Sequence, residues 1–368
     1  MTLYLICGED SGDLHGANLV RALRRERPDL RVRGVGGDRL IAEGMETVAH
    51  VRDINFMGFA EVVQHLGTIR ALFRTVKADI KAAQPDLVLL IDYPGFNLRL
   101  APFIKALGLP LVYYISPQVW AWKKNRVKKI RRYVDQMLVI LPFEADFYAQ
   151  EGVEATFVGH PLLDAIGEVQ REKPGRPTIA LLPGSRKQEI QRLLPIMAQL
   201  PALLPDFHFV LAGAPSQTEA FYRNILPPDS PIELHLHRTY DLLRSADYAV
   251  VASGTATLET ALFQVPEVVV YRGATLSYWL ARRLIEVPFI SLVNLIMRRK
   301  LVPELIQHQC TPEQIAAELR QMMQPTQRQA MLAGYLELRQ KLGEAGASKA
   351  AARAIAEKLE QGETRAQE

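Results

Sequence analysis

The stretch ASGTATLET, Ala252 to Thr260, brings Ser253, Gly254 and Thr255 to the point where an apolar run stops and a helical spacing starts. Small residues, a pliant backbone and hydroxyls at a helix start suit an anion, because free amides and the helix dipole attract phosphate there. Glu259 falls one turn further in, where a carboxylate can accept hydrogen bonds from a ribose diol. Ser and Thr also begin helices for structural reasons alone, as N-caps. A second junction of this kind, LLPGSR (Leu181 to Arg186), sets Ser185 and the fork-shaped cation of Arg186 after another apolar run. Arg186 can clamp a diphosphate or stand solvated in a first helical turn, and the two junctions together favour phosphate.

In the first half, CGEDSGDLHG (Cys7 to Gly16) has glycines at 8, 12 and 16 with Glu9, Asp10 and Asp13 among them. The spacing G-x-G-x-x-G of dinucleotide loops is absent, and three carboxylates repel a pyrophosphate, so a neutral polyol or sugar is the better guest. The structural alternative is a turn whose acids cap a helix beginning near Leu14. Asp92 ends the apolar run DLVLLID and precedes YPGFN. A carboxylate at the tip of a buried strand loses solvent, which raises its pKa toward that of a usable general base; capping the turn is its other role. His235 and His237 share one face of IELHLH without a cysteine or carboxylate at ligand spacing, and there is no Asp-x-Asp, so a bound metal is not expected. His15 and His160 fall on loops, where a turn role is the ordinary one.

Positioning these groups requires a frame, and the chain states it twice. LYLIC, a turn and LHGANLVRALRRE form one strand-loop-helix unit; after GEVQREKPGRP (Gly167 to Pro177) the pattern restarts with TIALL, PGSR and KQEIQRLLPIMAQL. Short, continuously apolar runs alternate with helical spacings through both halves. This predicts an α/β protein with two Rossmann-like, doubly wound parallel sheets facing one another across a cleft, each with its ligand edge at the strand C-termini. The expected domains are 1–168 and 169–345. A C-terminal helix over 346–368 is expected to pack on the N-terminal domain of its own chain or a partner's, with a frayed end.

The 368 residues carry a formal charge of +4, but Lys123, Lys124, Arg126, Lys128, Lys129, Arg131 and Arg132 supply seven cations, and +4 less these seven leaves −3. The basicity is one stripe on a near-neutral body, which suits a phosphate-bearing or membrane-surface partner at one place and disfavours nucleic acid. Trp120 and Trp122 precede the stripe. Asn55 to Phe73 carries a broad apolar stripe of helical spacing, for core packing or interfacial insertion. Two distant cysteines, Cys7 and Cys310, read as reduced thiols in a cytoplasmic setting; MTLYLICGED reads as no signal peptide, and no run reaches the roughly 20 apolar residues of a bilayer span.

In order and spacing, CGEDSGDLHGA, MGFAEV, IDYPGFN, SPQVWAWKKNRVKKI, LPFEADFY, VGHPL, LLPGSRKQEI, ASGTATLE and SLVNLI resemble the lipid-A-disaccharide synthase family, from about residue 3 to 350. The resemblance implies an inverting, metal-independent, cofactor-free glycosyltransferase of the GT-B arrangement, peripheral on the inner face of the cytoplasmic membrane and acting in lipid A biosynthesis. It would join UDP-2,3-diacylglucosamine to 2,3-diacylglucosamine 1-phosphate, giving a β-1,6-linked disaccharide 1-phosphate and UDP. It implies Asp92 as base for the acceptor 6-hydroxyl and Arg186 as partner of the donor diphosphate. Ser185, Ser253, Gly254, Thr255, Glu259 and Asn294 fall on the donor side. Glu9, Ser11, Asp13, Asn97, Ser116, Gln118, Trp120, Trp122 and His160 fall on the side of the sugars and acyl chains.

Many members read Asp-Ala-Pro-Asp where this chain has Asp92-Tyr-Pro-Gly95, so a second acid is missing. The expected partners are the two acylated substrates, an anionic membrane surface and, as a further option, a second copy of the chain. A UDP-sugar epimerase, which shares two such lobes, and a nucleic-acid or membrane adaptor using the basic helix remain the competing readings. Single-stranded nucleic-acid binders intersperse aromatics with cations, whereas here the aromatics come first.

Overall fold

The computed structural model describes residues 1–53, 66–120, 125–167, 169, 175–273 and 288–367. Two compact units emerge: residues 1–164 with 344–368, and residues 165–343. In the first, seven parallel strands run in the order β3-β2-β1-β4-β5-β6-β7: β1 Thr2–Ile6, β2 Arg31–Gly36, β3 Glu46–His50, β4 Leu87–Ile91, β5 Leu111–Tyr114, β6 Gln136–Val139 and β7 Ala155–Phe157. In the second, six parallel strands run β10-β9-β8-β11-β12-β13: β8 Thr178–Leu182, β9 His208–Gly213, β10 Glu233–Leu236, β11 Tyr248–Ala252, β12 Glu267–Tyr271 and β13 Glu304–Ile306.

The central strands are apolar on both faces because helices cover both. Leu3 and Leu5 of β1, with Leu87, Leu89 and Ile91 of β4, pack beneath Leu19, Val20 and Leu23 of the helix Asp10–Glu26. Tyr4 and Ile6, with Val88 and Leu90, join Val76 and Ile80 of the helix Leu66–Ala83 and Leu100 and Ile104 of the helix Pro94–Ala106 on the opposite face. This alternation along fully buried strands marks a doubly wound sheet.

The last helix, Ala347–Gln367, belongs to the first unit. Ala351, Ala352, Ile355, Ala356 and Leu359 line the face it buries in the same core as Leu19 and Leu23. Asp164 accepts hydrogen bonds from the amides of Gly346 and Ser348 and so caps its start, while Arg27 pairs with Glu360 further along.

One boundary differs from the sequence pattern. The helix expected near Leu14 starts at Asp10, so the loop after β1 is only Cys7 to Glu9. Polar residues and a glycine form its first turn, without the apolar periodicity by which a helix is read.

Candidate active site

Each sheet reverses its winding once, between β1 and β4 in the first unit and between β8 and β11 in the second. Crevices form at such points, because the loops after the two central strands diverge to opposite sides. The residues with chemical potential lie on those loops.

In the second unit a cavity of about 390 Å³ opens there, walled by Gly184, Ser185 and Arg186 after β8 and by Ser253, Gly254 and Thr255 after β11. The helix Thr255–Leu262 starts at this wall with no side-chain cap on its amides. Neither Ser253 nor Thr255 therefore serves as an N-cap, and the helix start keeps free donors for an anion. A methyl group added at Gly254 meets nothing within 4 Å, so the cavity reaches the bare backbone.

Ser253 differs from expectation, since its hydroxyl donates to the Ile290 carbonyl at 2.9 Å and ties down the loop. Arg186 stands at the start of the helix Lys187–Met197, well exposed, with one guanidinium nitrogen 3.2 Å from Glu189. Gly184 adopts φ 106°, and a Cβ there would come within 2.7 Å of Glu189, so only glycine lets this turn close against that carboxylate. At the far end Glu259 accepts from the Tyr240 hydroxyl at 2.9 Å. Burial holds the Glu259 carboxyl above its usual range, and the Tyr240 hydrogen bond opposes this.

In the first unit Asp92 follows β4 with φ 44°, and Tyr93 follows with φ 48°. Two successive non-glycine residues in the left-handed region cost roughly 1–3 kcal/mol each and persist only where their surroundings impose them. Packing supplies part of that constraint. The Tyr93 ring lies so close over Gly8 that a Cβ on Gly8 would approach it to 2.2 Å, which ties the loop after β1 to the loop after β4. Burial, then the negative charge of Glu9, raises the Asp92 carboxyl to about 7, against a hydrogen bond from the Tyr93 backbone. A carboxylate so tuned exchanges protons at neutral pH. Gly95 is exposed with open space around its Cβ direction, so an acid there would point to water; the strand-tip carboxylate belongs to Asp92.

The family model for lipid-A-disaccharide synthetase matches residues 3–358 of the chain. The chain belongs to the lipid-A-disaccharide synthase family. It is 43% identical to the lipid-A-disaccharide synthase of Myxococcus xanthus, with 98% of each chain covered, and 44% identical to that of Syntrophus aciditrophicus, with 95% and 96% covered. Like other members of the lipid-A-disaccharide synthase family, it is a glycosyltransferase. Its fold is shared with the glycotransferase of kitacinnamycin (TM-score 0.67, 16% identity, 97% and 99% covered). It is also shared with UDP-GlcNAc 2-epimerase from Neisseria meningitidis (TM-score 0.67, 12% identity, 98% and 100% covered).

Several residues singled out for this lipid-A-disaccharide synthase family chain are spent on its own structure. Asp13, nearly fully buried, accepts from the amides of Gly37, Arg39 and Leu40 and caps the short helix Asp38–Ala42, so it is not free to meet a sugar. Asn294 is fully buried; its amide donates to the Val302 carbonyl and Glu304, and its carbonyl accepts from the amides of Leu301 and Val302. It pins a loop and is no part of the cavity wall. His160 is buried and accepts from the Leu162 amide; burial, then His15, lowers its pKa to about 3, and burial takes His15 to about 4, so both rings are neutral at pH 7.

Ser116 is buried against the Tyr148 hydroxyl, and Trp120 donates to Glu144 at 3.0 Å with its ring edge on Phe143. Glu9 is half-buried, while Ser11 and Gln118 are exposed. Lys128, Lys129, Arg131 and Arg132 are exposed on the helix Asn125–Tyr133, with Arg126 half-buried on it. Trp122, Lys123, Lys124 and residues 54–65 of the apolar stripe lie outside the described residues.

Sequence reasoning passed over Glu144 and Tyr113. Glu144 is a buried carboxylate that holds both the Leu141 amide and Trp120, with its pKa raised to about 7 by burial against those hydrogen bonds. The signal for it was present in LPFEADFY, where a glutamate three residues after the N-cap Leu141 accepts from that residue's amide, one half of a capping box. His235 pairs with Glu233, and among the described residues no three His, Cys, Asp or Glu side chains are placed to hold a metal ion.

Proposed function

We propose that the chain transfers 2,3-diacylglucosamine from UDP-2,3-diacylglucosamine to 2,3-diacylglucosamine 1-phosphate. The products are the β-1,6-linked disaccharide 1-phosphate and UDP, with inversion at the anomeric carbon and without a metal ion. The observation that carries this reading is the 390 Å³ cavity of the second unit, where uncapped helix amides, a guanidinium and a half-buried carboxylate line one space. That set matches a nucleoside diphosphate: amides and Arg186 for the phosphates, Glu259 for the ribose hydroxyls.

As the bond from the anomeric carbon to UDP loosens, negative charge grows on the departing diphosphate. Donors already aimed at that charge stabilise the transition state more than the ground state. Asp92 takes the proton of the attacking 6-hydroxyl, a role supported by a carboxyl poised near neutrality. The acceptor oxygen attacks from the face opposite the leaving group, which inverts the centre. Glu9, on the loop after β1, and Ser11, in the first turn of the helix Asp10–Glu26, face the sugars in this reading.

Incubation with both acylated substrates in the presence of a chelator, followed by mass spectrometry of the lipid product, tests it. We expect a disaccharide 1-phosphate, with UDP released only when the acylated acceptor is present. Asp92→Ala should abolish turnover with UDP affinity near that of the parent, and Arg186→Ala should damage both. UDP-sugar turnover without an acceptor would favour an epimerase, and loss of activity on chelation would remove the metal-independent step.

A further inference from the structure

The backbone at Asp92 is held from three sides. Its amide donates to the Tyr114 carbonyl at 3.0 Å, in register with the ladder between β4 and β5. Its carbonyl accepts twice: from the Asn97 side-chain amide at 2.7 Å and from the Tyr113 hydroxyl at 2.5 Å. Asn97 also reaches the Ile91 carbonyl at 3.3 Å. Tyr113 and Asn97 are both fully buried.

A carbonyl that leaves a strand into a left-handed turn loses its ladder partner, and a buried carbonyl needs a donor. Two donors here serve one acceptor, on a residue held in the left-handed region. We infer that Tyr113 and Asn97 are positioning residues that clamp the Asp92 peptide in its left-handed conformation and thereby aim its carboxylate. This rests on the reading of Asp92 as the base and goes beyond it, because it assigns part of the turnover to two fully buried groups that act through the Asp92 peptide; Asn97, expected on the side of the sugars, spends its amide on the backbone instead. Tyr113 comes from β5, which the sheet order sets beside β4 although 21 residues separate it from Asp92.

The test is a kinetic cycle on the full-length enzyme with Tyr113→Phe, Asn97→Ala and Asp92→Ala. Tyr113→Phe removes one hydroxyl and keeps the ring in the core. Releasing one side of the clamp lets the turn relax. We expect kcat to fall roughly ten- to a hundred-fold, the size of effect that a shift of about 1 Å in a reacting group produces, with KM for the UDP-sugar donor unchanged.

The freed carboxylate gains solvent, so the acid limb of the kcat/KM profile should move to lower pH, a change that loss of packing alone does not produce. On whatever residual turnover Asp92→Ala retains, followed by prolonged incubation at high enzyme concentration, Tyr113→Phe should cost nothing further, because groups that act through one residue are not additive. A kcat within twofold of the parent, with the acid limb unmoved, overturns the inference; so does an equal loss in both backgrounds. If Tyr113→Phe fails to fold, Asn97→Ala is read in the same way. An Asp92→Ala enzyme that turns over normally would remove the base reading and this inference together, whereas a dead Asp92→Ala with an unaffected Tyr113→Phe removes only the clamp.

Discussion

At the scale of the residue, the chemistry concentrates on Asp92 and its neighbour Glu9. Burial is the larger cause of the raised Asp92 carboxyl and the charge of Glu9 the smaller, so each can be moved separately. A base works only when deprotonated, so activity should rise with pH through an apparent value of about 7 and fall away on the acid side. Glu9→Gln keeps the burial and removes the charge, so the acid limb of kcat/KM should shift to lower pH. A limb that stays in place would show that the two carboxyls do not interact. Much of this site was legible in the residues themselves, because Asp92 at a strand tip and Ser253 to Glu259 at a helix start sit in local patterns. What Asp13 does was not legible. Its three acceptor contacts come from Gly37, Arg39 and Leu40, more than twenty residues away, and nothing in GEDSGD distinguishes a carboxylate that faces a ligand from one that caps a different helix.

At the scale of the element, each functional loop joins an apolar, largely buried strand to a helix whose first turn is buried on one side and exposed on the other. The helix Pro94–Ala106 illustrates what the exposed side tolerates. Gly95 lies in its first turn, exposed, outside the left-handed region, with nothing within 4 Å of an added Cβ. Glycine there costs backbone entropy, and an aspartate adds a charge that the helix dipole favours. Gly95→Asp should therefore stabilise the protein by roughly 0.5–1 kcal/mol in denaturant unfolding and leave kcat within twofold. A large loss or gain of activity would mean that position 95 reaches the reacting groups after all. The start of the helix Asp10–Glu26 was hard to read, because its first turn puts polar residues and glycine where the apolar repeat has not yet begun.

At the scale of the whole molecule, charge and hydropathy bear on the proposal that the protein meets a lipid surface. No helix among the described residues is long and apolar enough to cross a membrane. Exposed Lys128, Lys129, Arg131 and Arg132 on one short helix instead support the proposal of an electrostatic contact with an anionic surface. At about 1 kcal/mol per charge, the double reversal Lys128→Glu with Lys129→Glu should weaken binding to vesicles rich in anionic lipid by roughly 30-fold or more, measured by sedimentation. Binding that ignores the reversal, or that persists at high salt, would place the contact elsewhere.

Two doubly wound parallel sheets, the loops that carry Asp92, Arg186 and Glu259, and a helical C-terminal segment all follow from the sequence alone, because continuous apolar runs and helical repeats are local properties of the chain. Strand order, the attachment of Ala347–Gln367 to the first unit through Asp164, and the convergence of Tyr113 and Asn97 on the Asp92 carbonyl were decided only in three dimensions. Hydrogen-bond partners are chosen by which strands become neighbours, and periodicity along a chain carries no record of that choice.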